Sequence, residues 1–141
     1  MSDSIESRGQ CLCGAVSVTA KAMPTAVGAC HCSMCRKWGG GPLLVVNCGD
    51  QVEFSGAEHI KTYASSEWAE RGFCTACGTH MFYRLKQNNM HFVPVGLFDE
   101  DAGLHFDHQV FIDEKPAYYT FGNDTKEMTG AEVLALFSSD N

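Results

Sequence analysis

Short segments with strand-like patterns recur along most of the chain. They are rich in Val, Ile, Thr and aromatic residues, they are bounded by Gly, Asp, Asn or Pro, and several alternate apolar with polar residues. Because neighbouring side chains of a strand point to opposite faces, this alternation predicts sheets with one buried face and one solvated face. The predicted strands are AVSVTA, PLLVVNC, QVEFSG, HIKTYA, THMFYRL and MHFVPVGLF.

Two segments carry helix signals instead. SMCRKWG predicts one or two helical turns that begin near Ser33 and end at Gly39, and TGAEVLALF predicts a short amphipathic helix with Thr129 as its N-terminal cap. The expected fold class is therefore mainly β, with one or two short helices. The chain has 141 residues, 45% of them hydrophobic, and no repeat or linker, so a single domain over residues 1–141 is expected.

Charge and hydropathy limit the kinds of partner that the chain is expected to have. The longest nearly apolar run, GPLLVVNCG, is far shorter than the roughly 20 residues of a membrane-spanning helix, and the polar start MSDSIESRGQ contains no apolar secretory segment. A cytoplasmic protein without membrane contact is expected. The formal net charge is −7, and counting the clustered cysteines as thiolates on two zinc ions makes it about −10. Such a chain repels a phosphate backbone, so nucleic acid is not an expected partner.

The eight cysteines fall mostly in short clusters, which favours metal ligation over disulfides in a chain without an export signal. In C-x-C the two sulfurs of an extended strand point the same way, and C-x-x-C-G is a tight turn whose thiolates face one ion. Joining these distant pairs predicts a structural zinc site, which would contribute on the order of 10 kcal/mol to folding. Its predicted ligands are Cys11, Cys13, Cys74 and Cys77.

The segment ACHCSMCRKWGGG offers three further ligands, Cys30, Cys32 and Cys35. Three protein ligands and one free position are the usual layout of a catalytic zinc, although Cys48 or a histidine could complete the tetrahedron. Cys48 ends an apolar run and is expected in the core. Three thiolates make zinc a poor activator of water. They suit it to capture a fourth, soft ligand such as a substrate thiol, whose pKa it would lower.

Charged residues beside these motifs are candidates for substrate binding. Arg36 and Lys37 follow the second group of cysteines, where they would offset its negative charge and attract an anionic thiol. Arg71 could hold a substrate carboxylate bidentately and Glu67 could move protons, although a surface ion pair is the commoner use of such residues. The ring of His31 is expected to point away from the metal and to pack behind the ligands or at the surface.

Three motifs in this order resemble those of one enzyme family. They are C-x-C-G near the N-terminus, C-H-C-x-x-C-R-K roughly fifteen residues later, and SSEWAERGFCTACGTHMFYR in mid-chain. The combination, over about residues 8–112, resembles the glutathione-dependent formaldehyde-activating enzyme family, whose domain is shared with a vertebrate centromere protein. The resemblance implies a β-rich, Mss4-like fold of short stacked antiparallel sheets that holds two zinc ions.

The resemblance also implies an activity. The two ions would be a structural zinc on Cys11, Cys13, Cys74 and Cys77 and a catalytic zinc on Cys30, Cys32 and Cys35, in agreement with the ligand count. The family's named reaction is that of a carbon–sulfur lyase written in reverse, in which glutathione adds to formaldehyde to give S-hydroxymethylglutathione. The expected partners are thus a small thiol, with glutathione as the implied cosubstrate, and a small aldehyde. A homodimer is compatible with the sequence.

Three other functions remain open at this point. The first is a non-catalytic zinc-binding module that acts through protein contacts, in which both zinc ions would be fully coordinated. The second is a methionine sulfoxide reductase, which would need a nucleophilic cysteine outside the metal sites, and Cys48 is the one candidate. The third is a redox sensor that releases metal when its clustered thiolates are oxidised.

Overall fold

The computed structural model describes residues 4–100 and 103–138, and within these ranges the chain is mainly β. The described residues cluster into two compact units, one within residues 4–25, 46–100 and 103–104 and the other within residues 26–45 and 105–138. The single domain over residues 1–141 stays a prediction. The mainly β class with short helices is confirmed.

The strands and helices take the following bounds in chain order. The strands are β1 (Ser4–Gln10), β2 (Ser17–Pro24), β3 (Ala26–Cys30), β4 (Leu43–Gly49), β5 (Val52–Ser55), β6 (Ile60–Tyr63), β7 (Ala69–Cys74), β8 (His80–Leu85), β9 (Met90–Pro94), β10 (His105–Val110) and β11 (Lys126–Met128). The α-helices are α1 (Ser33–Gly39) and α2 (Gly130–Ser138).

The first unit contains two sets of antiparallel strands. In one, β1 pairs with β2 and β2 with β5. The predicted alternation holds here, because the side chains of Val16, Val18 and Ala20 are fully buried. In the other, β6, β7, β8 and β9 pair in sequence order. The predicted strand MHFVPVGLF ends at Pro94, since proline has no N–H to continue the ladder, and a 3-10 turn over Val95–Leu97 follows.

The second unit is built around β3. This strand pairs antiparallel with the start of β4 and parallel with β10, and β10 pairs parallel with β11. The parallel pairings depart from the antiparallel sheets implied by the resemblance. A parallel pair cannot be closed by a hairpin and joins strands far apart in sequence, which strand-by-strand patterns do not reveal.

Both predicted helices are present. Helix α1 occupies Ser33–Gly39, and Gly40 ends it in the left-handed conformation, with φ at 86°. Helix α2 begins after Thr129, whose Oγ1 accepts the N–H of Glu132 at 3.2 Å, while Glu132 Oε1 accepts the N–H of Thr129 at 2.7 Å. This reciprocal pair confirms Thr129 as the cap. No helix in the described ranges combines the length and the apolarity that crossing a bilayer requires.

Several strands escaped prediction, and β7 shows why. Its sequence, AERGFC, is charged and contains a glycine, so it lacks a strand-like pattern. A Cβ at Gly72 would lie 2.4 Å from the ring of Phe82 on β8, so the strand needs glycine to let the aromatic ring lie against its backbone. The pairing with β8, rather than any local preference, holds this segment extended.

Candidate functional site

The first cysteine cluster, in the first unit, brings together four residues from two distant segments. The sulfurs of Cys11, Cys13, Cys74 and Cys77 all lie within 4.8 Å of one another. The Sγ atoms of Cys11 and Cys13 are 3.7 Å apart and those of Cys13 and Cys74 are 3.8 Å apart. A tetrahedral zinc with bonds of about 2.3 Å to sulfur separates its ligands by about 3.8 Å. All four thiols are free, so this donor set fits zinc.

Backbone turns hold the two halves of the first cluster. The N–H of Cys11 donates to the carbonyl of Val16 at 2.9 Å, and the N–H of Val16 donates to the sulfur of Cys11 at 3.3 Å. At the end of β7, the N–H of Cys74 donates to the carbonyl of Thr79 at 2.9 Å, and the N–H of Gly78 donates to the carbonyl of Cys74 at 2.7 Å. The turn requires a glycine at position 78, where φ is 82°.

Thr79 joins the two halves and is a residue that sequence reasoning missed. Its Oγ1 accepts the N–H of Leu12 at 3.1 Å and lies 3.1 Å from the sulfur of Cys77. Because the amide occupies a lone pair of the hydroxyl, its proton is available to the sulfur. This hydrogen bond is the main reason why the pKa of the metal-free Cys77 thiol falls to about 5. The signal in the sequence was a hydroxyl residue directly after C-x-x-C-G.

The second cysteine cluster lies in the second unit and spans the turn from β3 into α1. Cys30 ends the strand, Cys32 is the N-terminal cap of the helix, and Cys35 lies buried in the first helical turn. Their sulfurs all lie within 4.8 Å of one another. The N–H of Cys35 donates to the sulfur of Cys32 at 3.4 Å. The cluster therefore converges on one point, as three ligands of a single ion would.

The electrostatics of the second cluster favour a bound cation. The neighbouring sulfurs of Cys32 and Cys35, followed by burial, raise the pKa of the Cys30 thiol far above its ordinary value. Without a metal such thiols keep their protons, because thiolates this close together would repel one another. A divalent, thiophilic ion could replace these protons, and zinc is the ion that such donors favour in proteins. Three converging sulfurs therefore fit a zinc ion by their chemistry and spacing.

Cys48 belongs to neither group of sulfurs found in the described residues. It lies on β4, is only 2% exposed, and its pKa is raised to about 12 by burial. A thiol with this pKa stays protonated at neutral pH and is a weak ligand and a weak nucleophile. Its burial agrees with the core position expected from the sequence.

His31 lies fully buried between two members of the second cluster. Both ring nitrogens have protein partners: Nδ1 is 2.7 Å from the hydroxyl of Tyr119, and Nε2 is 2.7 Å from Oε1 of Gln109. Burial is the main cause that lowers the pKa of His31, and it likewise raises the pKa of Tyr119. With both nitrogens engaged, His31 is not placed to complete the second cluster, and it packs inside the unit rather than at the surface.

The cations next to the second cluster differ in their environment. Nε of Arg36 donates to the carbonyl of His31 at 2.9 Å, so this side chain lies back along the segment that carries the cysteines. Lys37 is exposed on α1. Both are therefore cations on the helix that carries Cys35, and their role toward a substrate stays a prediction.

Arg71 is a buried cation of the first unit. It is 4% exposed, its Nε donates to Oγ of Ser65 at 3.2 Å, and its guanidinium lies 4.7 Å from the centre of the Tyr83 ring. The surface ion pair considered from the sequence therefore does not describe Arg71, whereas Glu67 is exposed. A buried guanidinium is costly to desolvate and is held here by a hydroxyl and an aromatic face. Its binding of a carboxylate stays a prediction.

Comparisons with known proteins agree with these motifs. The model of a family described as "Glutathione-dependent formaldehyde-activating enzyme" matches residues 6–114. The chain is 37% identical over 130 residues to an uncharacterized lyase of Schizosaccharomyces pombe, covering 92% of this chain and 95% of the relative. It is 32% identical over 83 residues to a Halomonas elongata protein provisionally named as a glutathione-dependent formaldehyde-activating enzyme, covering 52% of this chain and 53% of that relative.

A solved structure shares the fold. It is the crystal structure of a Rhodobacter sphaeroides protein, with a TM-score of 0.57 and 24% sequence identity, and the match covers 65% of this chain and 87% of that one. At this identity the likeness concerns the fold alone.

Proposed function

The chain belongs to the glutathione-dependent formaldehyde-activating enzyme family, and on that premise we propose that it is a zinc-dependent carbon–sulfur lyase that joins a thiol to a small aldehyde. The observation that carries this proposal is the second cysteine cluster, in which three sulfurs converge and no fourth donor joins them among the described residues. A scaffold zinc would use four protein ligands, as the first cluster offers. An incomplete set leaves room for a substrate sulfur.

Separate groups of residues would bind the catalytic zinc, attract the substrate and stabilise the fold. Cys30, Cys32 and Cys35 would hold the zinc, which, when bound, lowers the pKa of an added thiol and keeps it nucleophilic. Helix α1 keeps the sulfur of Cys32 in place through the N–H of Cys35. Arg36 and Lys37 would attract the anionic thiol to this end of the helix. Cys11, Cys13, Cys74 and Cys77 would hold a second zinc that stabilises the fold.

The reaction needs no redox partner. The thiol sulfur forms a bond to the carbonyl carbon of the aldehyde, the carbon–oxygen double bond becomes a single bond, and the proton lost by the thiol ends on that oxygen. The product is a hydroxyalkyl thioether, and the lyase direction is the reverse. Glutathione and formaldehyde are the pair that the family's description suggests.

The decisive experiment combines binding and turnover in the metal-loaded protein. Cobalt replaces zinc, and glutathione is titrated while the sulfur-to-cobalt absorption is followed. We expect the bands of one cobalt to change and those of the other to stay constant. The exchange of ¹³C-formaldehyde with glutathione, followed by NMR, should be faster with the zinc-loaded enzyme than in buffer.

Matched variants locate the activity. Cys32→Ser should abolish the acceleration and the glutathione-dependent spectral change, whereas Cys48→Ala should retain both, because Cys48 belongs to neither cluster. Unchanged cobalt spectra together with exchange at the rate in buffer would overturn the proposal and favour the non-catalytic zinc module. Loss of zinc on mild oxidation, without any acceleration of exchange, would favour the redox sensor.

The environment of Cys48 does not support the alternative function of a methionine sulfoxide reductase. That reaction needs a nucleophilic thiol outside the metal sites. Cys48, the one candidate from the sequence, is buried in β4 and has a pKa of about 12. A thiol held protonated in this way is a poor nucleophile.

A further inference from the structure

His31 lies directly between Cys30 and Cys32, two of the predicted zinc ligands of the second cluster. In extended backbone, neighbouring side chains point to opposite faces, so the ring projects away from the side on which Cys30 and Cys32 present their sulfurs. The contacts of the ring agree with this. Its hydrogen-bond partners lie on β10 and in the loop before β11, and none is a cysteine.

The ring of His31 belongs to a series of hydrogen bonds in which each group donates to the next one. Oε1 of Gln109 can only accept, so Nε2 of His31 carries the proton, and Nδ1 of the neutral ring is left to accept from the hydroxyl of Tyr119. Gln109 is fixed in turn, because its Nε2 donates to Oγ1 of Thr125 at 2.8 Å. Every donor in this series meets an acceptor.

The backbone of His31 is held as firmly as its ring. Its N–H donates to the carbonyl of Val110 at 3.2 Å, and its carbonyl accepts from Nε of Arg36 at 2.9 Å. The ring also stacks on Tyr119, with centroids 5.5 Å apart, and lies 6.0 Å from the ring of Phe121. The peptide groups on either side of His31 therefore have little freedom to rotate.

Tyr119 is itself fixed by Lys115. The ammonium of Lys115 donates to the carbonyl of Tyr119, to the carbonyl of Pro116 at 3.1 Å and to Oγ1 of Thr120 at 3.3 Å, and it lies 5.2 Å from the centre of the Tyr119 ring. The phenol that donates to His31 is thus carried by an ordered turn. Because this turn is fixed, the hydroxyl of Tyr119 holds the imidazole of His31 in one orientation.

We propose that His31 is a positioning residue for the second cysteine cluster, held by Tyr119 and Gln109 so that Cys30 and Cys32 present their sulfurs to one ion in a fixed geometry. Rotation of the peptide groups that flank His31 would increase the distance between the sulfurs of Cys30 and Cys32. This inference rests on the metal site of the proposed function but not on its substrate or reaction. A residue that orients metal ligands from behind is typically important for metal affinity.

The test uses neighbouring tyrosines as variant and control. Tyr119→Phe keeps the ring and removes only the hydroxyl that donates to His31. Tyr118→Phe makes the same change on a side chain that is 75% exposed. The zinc-loaded proteins are mixed with excess 4-(2-pyridylazo)resorcinol, and zinc release is followed by absorbance. The phase that belongs to the second cluster is identified as the one missing in Cys32→Ser.

For Tyr119→Phe we expect the second-cluster phase to be about tenfold faster than in the wild type, with the first-cluster phase unchanged. The d–d bands of cobalt in the second cluster should also shift, which a general loss of stability would not cause. Thr125→Val, which releases Gln109, should act in the same direction. His31→Phe, which keeps an aromatic ring but no ring nitrogen, should give the largest effect of the three.

Two results would overturn the inference. One is equal zinc release and equal cobalt spectra in Tyr119→Phe and Tyr118→Phe. The other is an equal acceleration of both phases, which would mean that the hydrogen bonds stabilise the protein in general. Failure of the proposed function looks different, because exchange of formaldehyde with glutathione would then run at the buffer rate in every variant while second-cluster zinc release still depended on Tyr119.

Discussion

The backbone amide of Leu12 donates a hydrogen bond to Oγ1 of Thr79 at 3.1 Å, across 67 positions of sequence. Leu12 lies between the two cysteines of C-x-C, and Thr79 directly follows C-x-x-C-G. The two halves of the first cluster are therefore joined by protein atoms as well as by any metal they share. The same hydroxyl lies 3.1 Å from the sulfur of Cys77.

We first predict that Thr79→Val lowers the stability of the zinc-loaded protein by about 0.5–1.5 kcal/mol, because the variant removes the hydroxyl that accepts from the amide of Leu12 and lies beside the sulfur of Cys77. The measurement is urea unfolding followed by circular dichroism. Thr75→Val, at an exposed position of the same turn, is the control and should be near wild type. Equal unfolding curves for the two variants would contradict the prediction.

Metal removal should separate the roles of the two clusters. We expect about two zinc ions per chain by elemental analysis and about one each in Cys13→Ser and Cys32→Ser. Because structural zinc contributes strongly to folding, Cys13→Ser should lose far more thermal stability than Cys32→Ser. A matching loss in both variants would argue for two structural sites. The control is Cys48→Ala, which should keep both ions.

The thiols should differ in reactivity according to their environment. Cys48 is buried and has a pKa of about 12, so iodoacetamide at neutral pH should leave it unmodified in the folded protein. In a short pulse of iodoacetamide directly after chelation, before the metal-free chain unfolds, Cys77 should react early, since the hydroxyl of Thr79 lowers its pKa to about 5. Mass spectrometry of tryptic peptides gives the order of modification. Alkylation of Cys48 at the rate of Cys77 would contradict the prediction.

The buried imidazole of His91 should make stability depend on pH. Burial is the main cause that lowers its pKa, although its Nδ1 faces the carbonyls of Gly49 at 3.3 Å and Asn89 at 3.0 Å. Because the folded pKa lies below the unfolded value of about 6.5, the unfolded chain binds more protons in the interval between them. The free energy of unfolding should therefore fall as pH drops below about 6.5.

An NMR titration of the His91 ring checks this directly, and an apparent pKa at or above 6.5 would refute it. The variant His91→Phe serves as a control for the unfolding measurements. It keeps an aromatic ring beside Phe54 and Phe82, and its acid-dependent loss of stability should be smaller than that of the wild type. Loss of zinc at low pH affects both proteins alike, so the difference between them reports on His91.

Short sequence motifs were sufficient to predict both helices, the two groups of cysteines and the family. The bounds Ser33–Gly39 for α1 and the cap Thr129 for α2 follow from cap residues and from glycine. The two groups of cysteines were recognised because C-x-C and C-x-x-C each bring two sulfurs close together within a few residues. The family follows from the order of the same motifs and is confirmed by the match over residues 6–114.

Strands whose extended form depends on their neighbours were not located. Strand β10 has the sequence HFDHQV, whose histidines and polar residues give no strand-like pattern. Its extended form depends on pairing with β3, where Gln109 lies beside Ala29. Strand β7 needs Gly72 under the ring of Phe82. In both segments the stabilising partner lies on another strand, so a pattern confined to the segment carries little information about it.

The mainly β class, the two helices, the family and the cysteines that could hold metal follow from short sequence patterns, because strand alternation, helix caps and cysteine spacing each involve residues a few positions apart. Three other features become visible in the folded chain alone: the parallel pairing of β3 with β10, the hydroxyl of Thr79 between the halves of the first cluster, and the hydrogen bonds of His31 with Tyr119 and Gln109. The contacts of Thr79 and His31 join residues 67, 78 and 88 positions apart. Such contacts form only when the whole chain has closed its long loops, and no local preference encodes them.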